Sequence, residues 1–323
     1  MITPDYYPQF RCIGRECKNN CCCGEWDIEV DDEAMERFNA ISGEFGKRVR
    51  KAVDSNNVFI RKNGRCPLLS DDGLCEMVLN GEELCTVCDE YPRFTTYYGD
   101  YVERGISVSC EAATKIILDN KEKVKFTGDT GECTDDIFSL LISARTKIFE
   151  ILQDRTTDIA KRIRLALDYG VALQNRINNN NNNYEEFAYT PKDANHNNVS
   201  TDELFKTLEM LDTLSDDWCD ILSKYDSFNV TDEIKTEQLA VYFVYRYFLR
   251  AVYDCDAISK LKLMAISVIA IVCLTNVCGD IYESARRYSI EVEHNEENID
   301  MLYDEFLFND DLDLNHILGM LSA

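Results

Sequence analysis

Three absences bound this sequence. The first ten residues, MITPDYYPQF, contain no apolar core of the kind that leads a chain out of the cell, which predicts a protein kept in a reducing cytoplasm. Positive charge is in short supply: 34 lysines and arginines stand against 59 aspartates and glutamates, for a net charge of −25. Such a surface repels phosphates, so nucleic acid is excluded as the expected partner; solubility, or a partner that presents lysines, is favoured. Missing too is an apolar run long enough for a membrane span. The most apolar stretch, Leu263–Leu274, is bounded by Lys262 and by Thr275-Asn276. It falls short of the roughly 20 residues a span requires and predicts a buried core helix.

Cysteine, by contrast, is abundant. Of 15 cysteines, ten crowd between Cys12 and Cys110, in the order Cys12-x4-Cys17-x3-Cys21-Cys22-Cys23, then Cys66, Cys75, Cys85-x2-Cys88 and Cys110. In a reducing compartment a clustered set of this kind points to metal rather than to disulfides. Adjacent Cys21, Cys22 and Cys23 could not all join simple bridges without strain. One structural zinc takes four ligands, and so does one [4Fe–4S] cluster, so the set exceeds a single site. The spacing leaves zinc and iron–sulfur both open. It misses the Cys-x3-Cys-x2-Cys of radical enzymes, because Gly24 stands where the third cysteine would be.

The texture of the chain changes near residue 130. Before it, short alternating stretches and turn signals predict a small loop-rich domain over residues 1–130, with β-hairpins at Asn63-Gly64 and Gly99-Asp100, stapled by metal. A strand is expected at Trp26–Val30, a helix from Asp31 to Ile41, and another from Cys110 to Leu118 behind a Ser109 cap. Over residues 131–323 the apolar residues keep a helical period, as in Ile137, Leu140, Leu141, Ala144, Ile148, Ile151 and Leu152. The expected fold class is therefore mainly α: a cysteine domain packed on a larger all-helical domain. A disordered asparagine-rich loop is expected near 176–199, around Asn178–Asn183. Arg246 and Arg250 sit one turn apart on the apolar stretch Leu239–Tyr253 and require carboxylate partners or an anionic ligand.

Certain residues carry a resemblance. Tyr7-Pro-Gln-Phe-Arg-Cys12-Ile-Gly-x2-Cys17-x3-Cys21-Cys22, with Trp26 close behind, resembles the start of the flagellin lysine-N-methylase family. So do Gly64-Arg-Cys66-Pro-Leu-Leu, Leu74-Cys75, Gly81-x3-Cys85-x2-Cys88, Tyr91-Pro92-Arg93 and Ser107-Val-Ser-Cys110-Glu-Ala-Ala. Near the far end, Tyr288-Ser-x-Glu291-x-Glu293-His294-x3-Asn298 resembles the family's closing motif. Two departures stand out. Cys23-Gly24-Glu25 adds a residue before Trp26, which leaves Cys21/Cys22 and Cys22/Cys23 both open as the working pair. Cys110-Glu111 replaces the family's Cys-Pro-Glu.

The resemblance implies transfer of a methyl group from S-adenosylmethionine to surface lysines of flagellin, with an iron–sulfur cluster, a [4Fe–4S] group, on the cysteines and zinc as the alternative. The ligands carried over are Cys12, Cys17, Cys21, Cys22, Cys66, Cys75, Cys85, Cys88 and Cys110. No glycine-rich nucleotide loop is present, so a methyl donor would have to be bound in another way. A lysine ammonium, with an unperturbed pKa near 10.4, must lose a proton before it attacks a methyl group. Glu293 and His294 are the candidate catalytic pair, the first to capture the ammonium and the second to assist transfer. The competing class is a metal-binding interaction or electron-transfer module without methyl chemistry.

Overall fold

The computed structural model describes residues 1–24, 26–179, 187–194 and 196–322. The protein is mainly helical with two small antiparallel sheets. It opens on β1 (Thr3–Pro4) and continues through α1 (Asp32–Ala40), α2 (Gly43–Lys51), α3 (Glu76–Leu79) and α4 (Thr86–Glu90). A hairpin of β2 (Arg93–Tyr98) and β3 (Tyr101–Ile106) follows, then α5 (Glu111–Leu118) and β4 (Phe126–Thr127), which pairs with β1. The rest is helical: α6 (Phe138–Leu152), α7 (Ile159–Asn178), α8 (Asp202–Glu209), α9 (Trp218–Leu222), α10 (Glu233–Tyr247) and α11 (Ala251–Asp254). It closes with α12 (Ala257–Cys278), α13 (Ile281–Tyr288), α14 (Glu296–Phe308) and α15 (Leu314–Met320).

Local chemistry sets many of these boundaries. Asp31 caps α1 by accepting the Ala34 N–H at 2.9 Å, and Asp32 and Glu33 place negative charge at the positive end of the helix. At Asn63-Gly64 both residues have positive φ, 52° and 70°, and Lys62 and Arg65 exchange backbone hydrogen bonds, the arrangement a type I′ turn demands. The strands expected around that turn and at Trp26–Val30 reduce to single bridges, Glu29 with Val58 and Val53 with Phe59. Turns at Asn57, Gly73 and Gly81, all at positive φ, interrupt pairing before a ladder forms. The hairpin about Gly99-Asp100 does form, with Tyr98 opposite Tyr101. Ser109 does not cap α5; that position belongs to Cys110.

Buried side chains fall into two clusters. The smaller is drawn from residues 28–85, including Ile28, Phe38, Val49, Leu68 and Met77 with the thiols of Cys66 and Cys85. The larger gathers the helices together with Tyr6, Phe10, Tyr98, Ile106 and Val108. Its centre is α12, in which every residue from Ser259 to Leu274 is buried, packed by α7, α10 and α13. This helix is long and apolar enough to cross a membrane, and most of it is covered by the protein itself. Several charges inside the larger cluster are paired, which offsets the cost of burying them. Glu237 takes Arg155 and Arg162, and Arg145 takes Glu103. The expected carboxylates are also found: Arg246 pairs with Glu293 and Arg250 with Glu296.

The asparagine-rich stretch is placed only in part, because 180–186 and 195 lie outside the described residues. What is described there packs. The α7 helix continues to Asn178, the Phe187 ring meets Tyr169, the Tyr189 hydroxyl donates to Asp168, and Arg164 pairs with Asp193. A polar composition hid these contacts, which depend on two aromatic rings and one acid.

Candidate active site

The cysteines come from loops and helix starts. Cys21–Cys23 form one 3-10 turn, fixed by the Asn20 side chain accepting the Cys22 N–H. Cys75 and Cys85 are the N-caps of α3 and α4, and Cys66 N–H donates to the Cys22 carbonyl at 2.8 Å. Cys22, Cys66, Cys75, Cys85 and Cys88 all pack with the smaller cluster. Burial lifts the Cys66 thiol to about 11, with Cys22 and Cys75 adding to the rise. Interaction between the Cys85 and Cys88 thiols lowers the first and raises the second, with burial adding to the rise of Cys88. A second group surrounds Glu111: Cys17 donates to this carboxylate at 3.5 Å and is pushed up to about 12 by burial and by Glu111. Burial also raises Cys110, with Cys12 and Glu111 adding to it.

All fifteen cysteines are free. Among the described residues, no group of three or more histidine, cysteine, aspartate or glutamate side chains is arranged to hold a metal ion. The donor chemistry nevertheless fits a soft metal or an iron–sulfur group: thiols on short loops, several of them neighbours in sequence.

The closing motif lies on the other side. Between α13 and α14 the chain makes a π-turn, Ser289–Glu293, a form that recurs at functional sites. Glu293, 4% exposed, accepts from the hydroxyls of Tyr242, Tyr247 and Ser289 and pairs with Arg246 at 3.1 Å. Its oxygens are thus engaged from within, and an incoming ammonium would not reach this carboxylate directly. Glu291 is buried as well, accepting from Leu214 N–H and from Ser215. Asn298 bonds to both backbone groups of Asp212, so these two motif residues hold the chain before α9.

His294 faces the cysteine loops. Its ring meets Trp26 edge-on at 5.5 Å and Tyr91 at 6.2 Å, while Trp26 and Tyr91 are 6.1 Å apart. Burial and the Arg246 charge lower His294 to about 4, so its imidazole is neutral near pH 7. Trp26 lies over Gly24, where any Cβ would sit 2.3 Å from the ring, and its carbonyl accepts from Arg61. Sequence reasoning singled out His294 and Glu293 but gave no role to Tyr91, Ser107, Ser289, Tyr242 or Tyr247, and to Ser109 only that of a helix cap. One signal was available: a serine can accept the backbone N–H two residues on, as Ser107 does from Ser109, which brings the two serines together in a turn.

No protein-family model matches the chain. No solved structure matches it either. Over 137 residues it is 26% identical to the flagellar biosynthetic protein FliU of Salmonella muenchen, a match covering 38% of this chain and 79% of that protein. Over 145 residues it is 25% identical to the lysine-N-methylases of Salmonella typhimurium and Salmonella choleraesuis, covering 40% of this chain. The chain spans about a third of the length of those two relatives, 35% of each. These likenesses make the chain a distant relative of proteins named lysine-N-methylase.

Proposed function

We propose that this chain is a cytoplasmic protein-lysine N-methyltransferase that moves a methyl group from S-adenosylmethionine to surface lysines of flagellin. Its cysteines would hold an iron–sulfur group, a [4Fe–4S] cluster, with zinc as the alternative. One observation above all supports the reading. Residues that carry the family resemblance at opposite ends of the chain, Trp26 and Tyr91 from one and His294 from the other, meet in a single half-buried site. The distant likeness to lysine-N-methylases supplies the reaction type.

The chemistry asks for a neutral lysine amine beside a methyl donor. A lysine ammonium brought next to His294 would enter the environment that keeps this imidazole unprotonated, namely burial and the Arg246 charge. Both favour loss of the ammonium proton before attack. His294 is the neighbouring imidazole that would assist, and Glu293 holds Arg246 in place. The cluster would be held among Cys22, Cys66, Cys75, Cys85 and Cys88 with Cys21, while Cys12, Cys17 and Cys110 form the group around Glu111. When bound, such a group cross-links the loops that carry its thiolates.

The test is direct. Protein purified without oxygen is incubated with flagellin and S-adenosylmethionine, and intact and peptide masses are measured. A gain of methyl masses on lysine supports the reading. No gain from iron-loaded protein would replace it with a metal-binding module.

A further inference from the structure

A row of buried hydroxyls joins the two halves of the site. Tyr91 Oη lies 3.1 Å from Ser109 Oγ, Ser109 Oγ lies 2.9 Å from Ser107 Oγ, and Ser107 Oγ lies 3.3 Å from Ser289 Oγ. Ser289 then donates to Glu293 at 2.5 Å. Ser107, Ser109 and Ser289 are all buried. Hydroxyls in an apolar interior are costly unless bonded, and packing alone would be served by alanine.

The direction of each bond in this row follows from its last member. A carboxylate paired with Arg246 is an acceptor only, so the one Ser289 proton must go to Glu293. Ser289 therefore accepts from Ser107. Ser107 also accepts the Ser109 backbone N–H at 3.2 Å, so its oxygen takes two donors and gives its single proton to Ser289. Ser109 consequently donates to Ser107 and accepts from Tyr91. The Tyr91 proton is committed inwards, which leaves its oxygen able to accept from a further donor. Each bond in such a row polarises the next, which strengthens the phenol oxygen as an acceptor.

We propose that Tyr91, Trp26 and His294 form the seat of the target amine, with Tyr91 Oη accepting one of its N–H bonds. Ser109, Ser107, Ser289 and Glu293 are positioning residues that hold the phenol in its accepting orientation. The ligand class is a primary alkylamine, the end of a lysine side chain, charged or neutral. The aromatic faces of Trp26 and Tyr91 suit its methylenes and, when it is charged, its nitrogen. This proposal takes the identity of the amine from the methyltransferase reading, but its test uses no methyl donor.

The experiment is calorimetric titration of the protein as purified with n-butylamine and, separately, with tetramethylammonium, which has no N–H to donate. Parent protein is expected to bind both saturably. Tyr91→Phe keeps the ring and is expected to bind n-butylamine about tenfold more weakly while leaving tetramethylammonium unchanged. Glu293→Gln lets the row run either way and is expected to give a smaller loss, about threefold, confined to n-butylamine. Ser289→Ala interrupts the row without touching the buried charge and serves if the glutamine variant does not fold. Equal n-butylamine binding by parent and Tyr91→Phe, equal weakening of both ligands, or no saturable binding by the parent overturns the seat. Amine binding as described, without methylation of flagellin, would leave the seat standing and remove the methyltransferase reading.

Discussion

The two buried clusters are held by different means. In the larger, α12 is wrapped by other helices, its apolar side chains are buried from Ser259 to Leu274, and interior charges such as Glu237 have two guanidinium partners. Apolar burial over that area supplies cohesion independent of any ligand. The smaller cluster is drawn from fewer than sixty residues of turn-rich chain, with bridges in place of strands, and two of its buried members are themselves cysteines. A segment of that size seldom stands by its own core. One sequence thus carries two solutions to the entropy of folding: many large apolar side chains in one region, and a dense set of thiols in the other. A site at their seam inherits rigidity from one side and dependence on thiol chemistry from the other.

The sharpest way to break this comparison is to remove thiols. Cys85→Ser with Cys88→Ser is expected to abolish metal binding and, with a structural metal contributing on the order of 10 kcal/mol, to unfold residues 28–85. Hydrogen exchange should show those amides losing protection while α7, α10 and α12 keep theirs. Loss of protection in α12 would mean that the two regions fold as one. The opposite perturbation, Ile269→Ala at a fully buried position of α12, is expected to cost about 3 to 4 kcal/mol. Its effect should appear in the denaturant midpoint of the helical region, with metal content unchanged.

The seam itself offers a smaller effect. His294 is lowered to about 4 by burial and by Arg246, below its ordinary 6.5. Between those values the unfolded chain binds a proton that the folded one does not. Stability is therefore full above about pH 6.5 and falls as pH drops towards 4. The loss is expected to be about 2 kcal/mol after allowing for partial exposure. His294→Phe should lack this slope when its urea midpoints near pH 7 and pH 5 are compared with those of the parent. The imidazole titration should also return towards 6.5 in the Cys85/Cys88 double variant, because Trp26 is carried by the smaller cluster. An unchanged His294 titration there would show that the seam survives without the order of the cysteine loops.

Some of this was legible before any fold was known, and the division has a physical cause. α12 could be read because seventeen buried positions of one helix leave a local apolar run. The partners of Arg246 and Arg250 could be demanded, though not named, because a guanidinium on an apolar helix has few alternatives. The hydroxyl row could not be read. Its decisive contact, Ser107 with Ser289, joins positions 182 apart, and a serine carries no local mark that tells a buried bond from an exposed turn. Glu293 was picked out by its motif, yet capture of the ammonium was expected of a side chain that is buried in the π-turn and bonded from within. The helix α2 was missed because its residues are mostly charged and only Gly46 and Val49 are buried.

The smallest expected effect concerns how the thiol-rich region is tied together. Asp31 caps α1 through the Ala34 N–H and with its other oxygen accepts the Thr86 N–H at 2.8 Å, beside Cys85. These two backbone donors, Thr86 first, hold its carboxyl at about 2, below the ordinary 3.8. A depressed carboxylate contributes fully above the unfolded value and loses its contribution as pH falls from about 4 through 2. Asp31→Ala is expected to cost about 1 kcal/mol near neutral pH, the usual worth of a helix cap, and to loosen the amides of α1 and of Thr86 together. Asp31→Asn keeps an acceptor for one donor and should cost less, with no change across that acidic window. The joint response is the informative part. If α1 loosens while Thr86 stays protected, the Cys85 loop is held by its thiols alone, and the contrast between the two regions becomes stronger than the hydrogen bonds of Asp31 suggest.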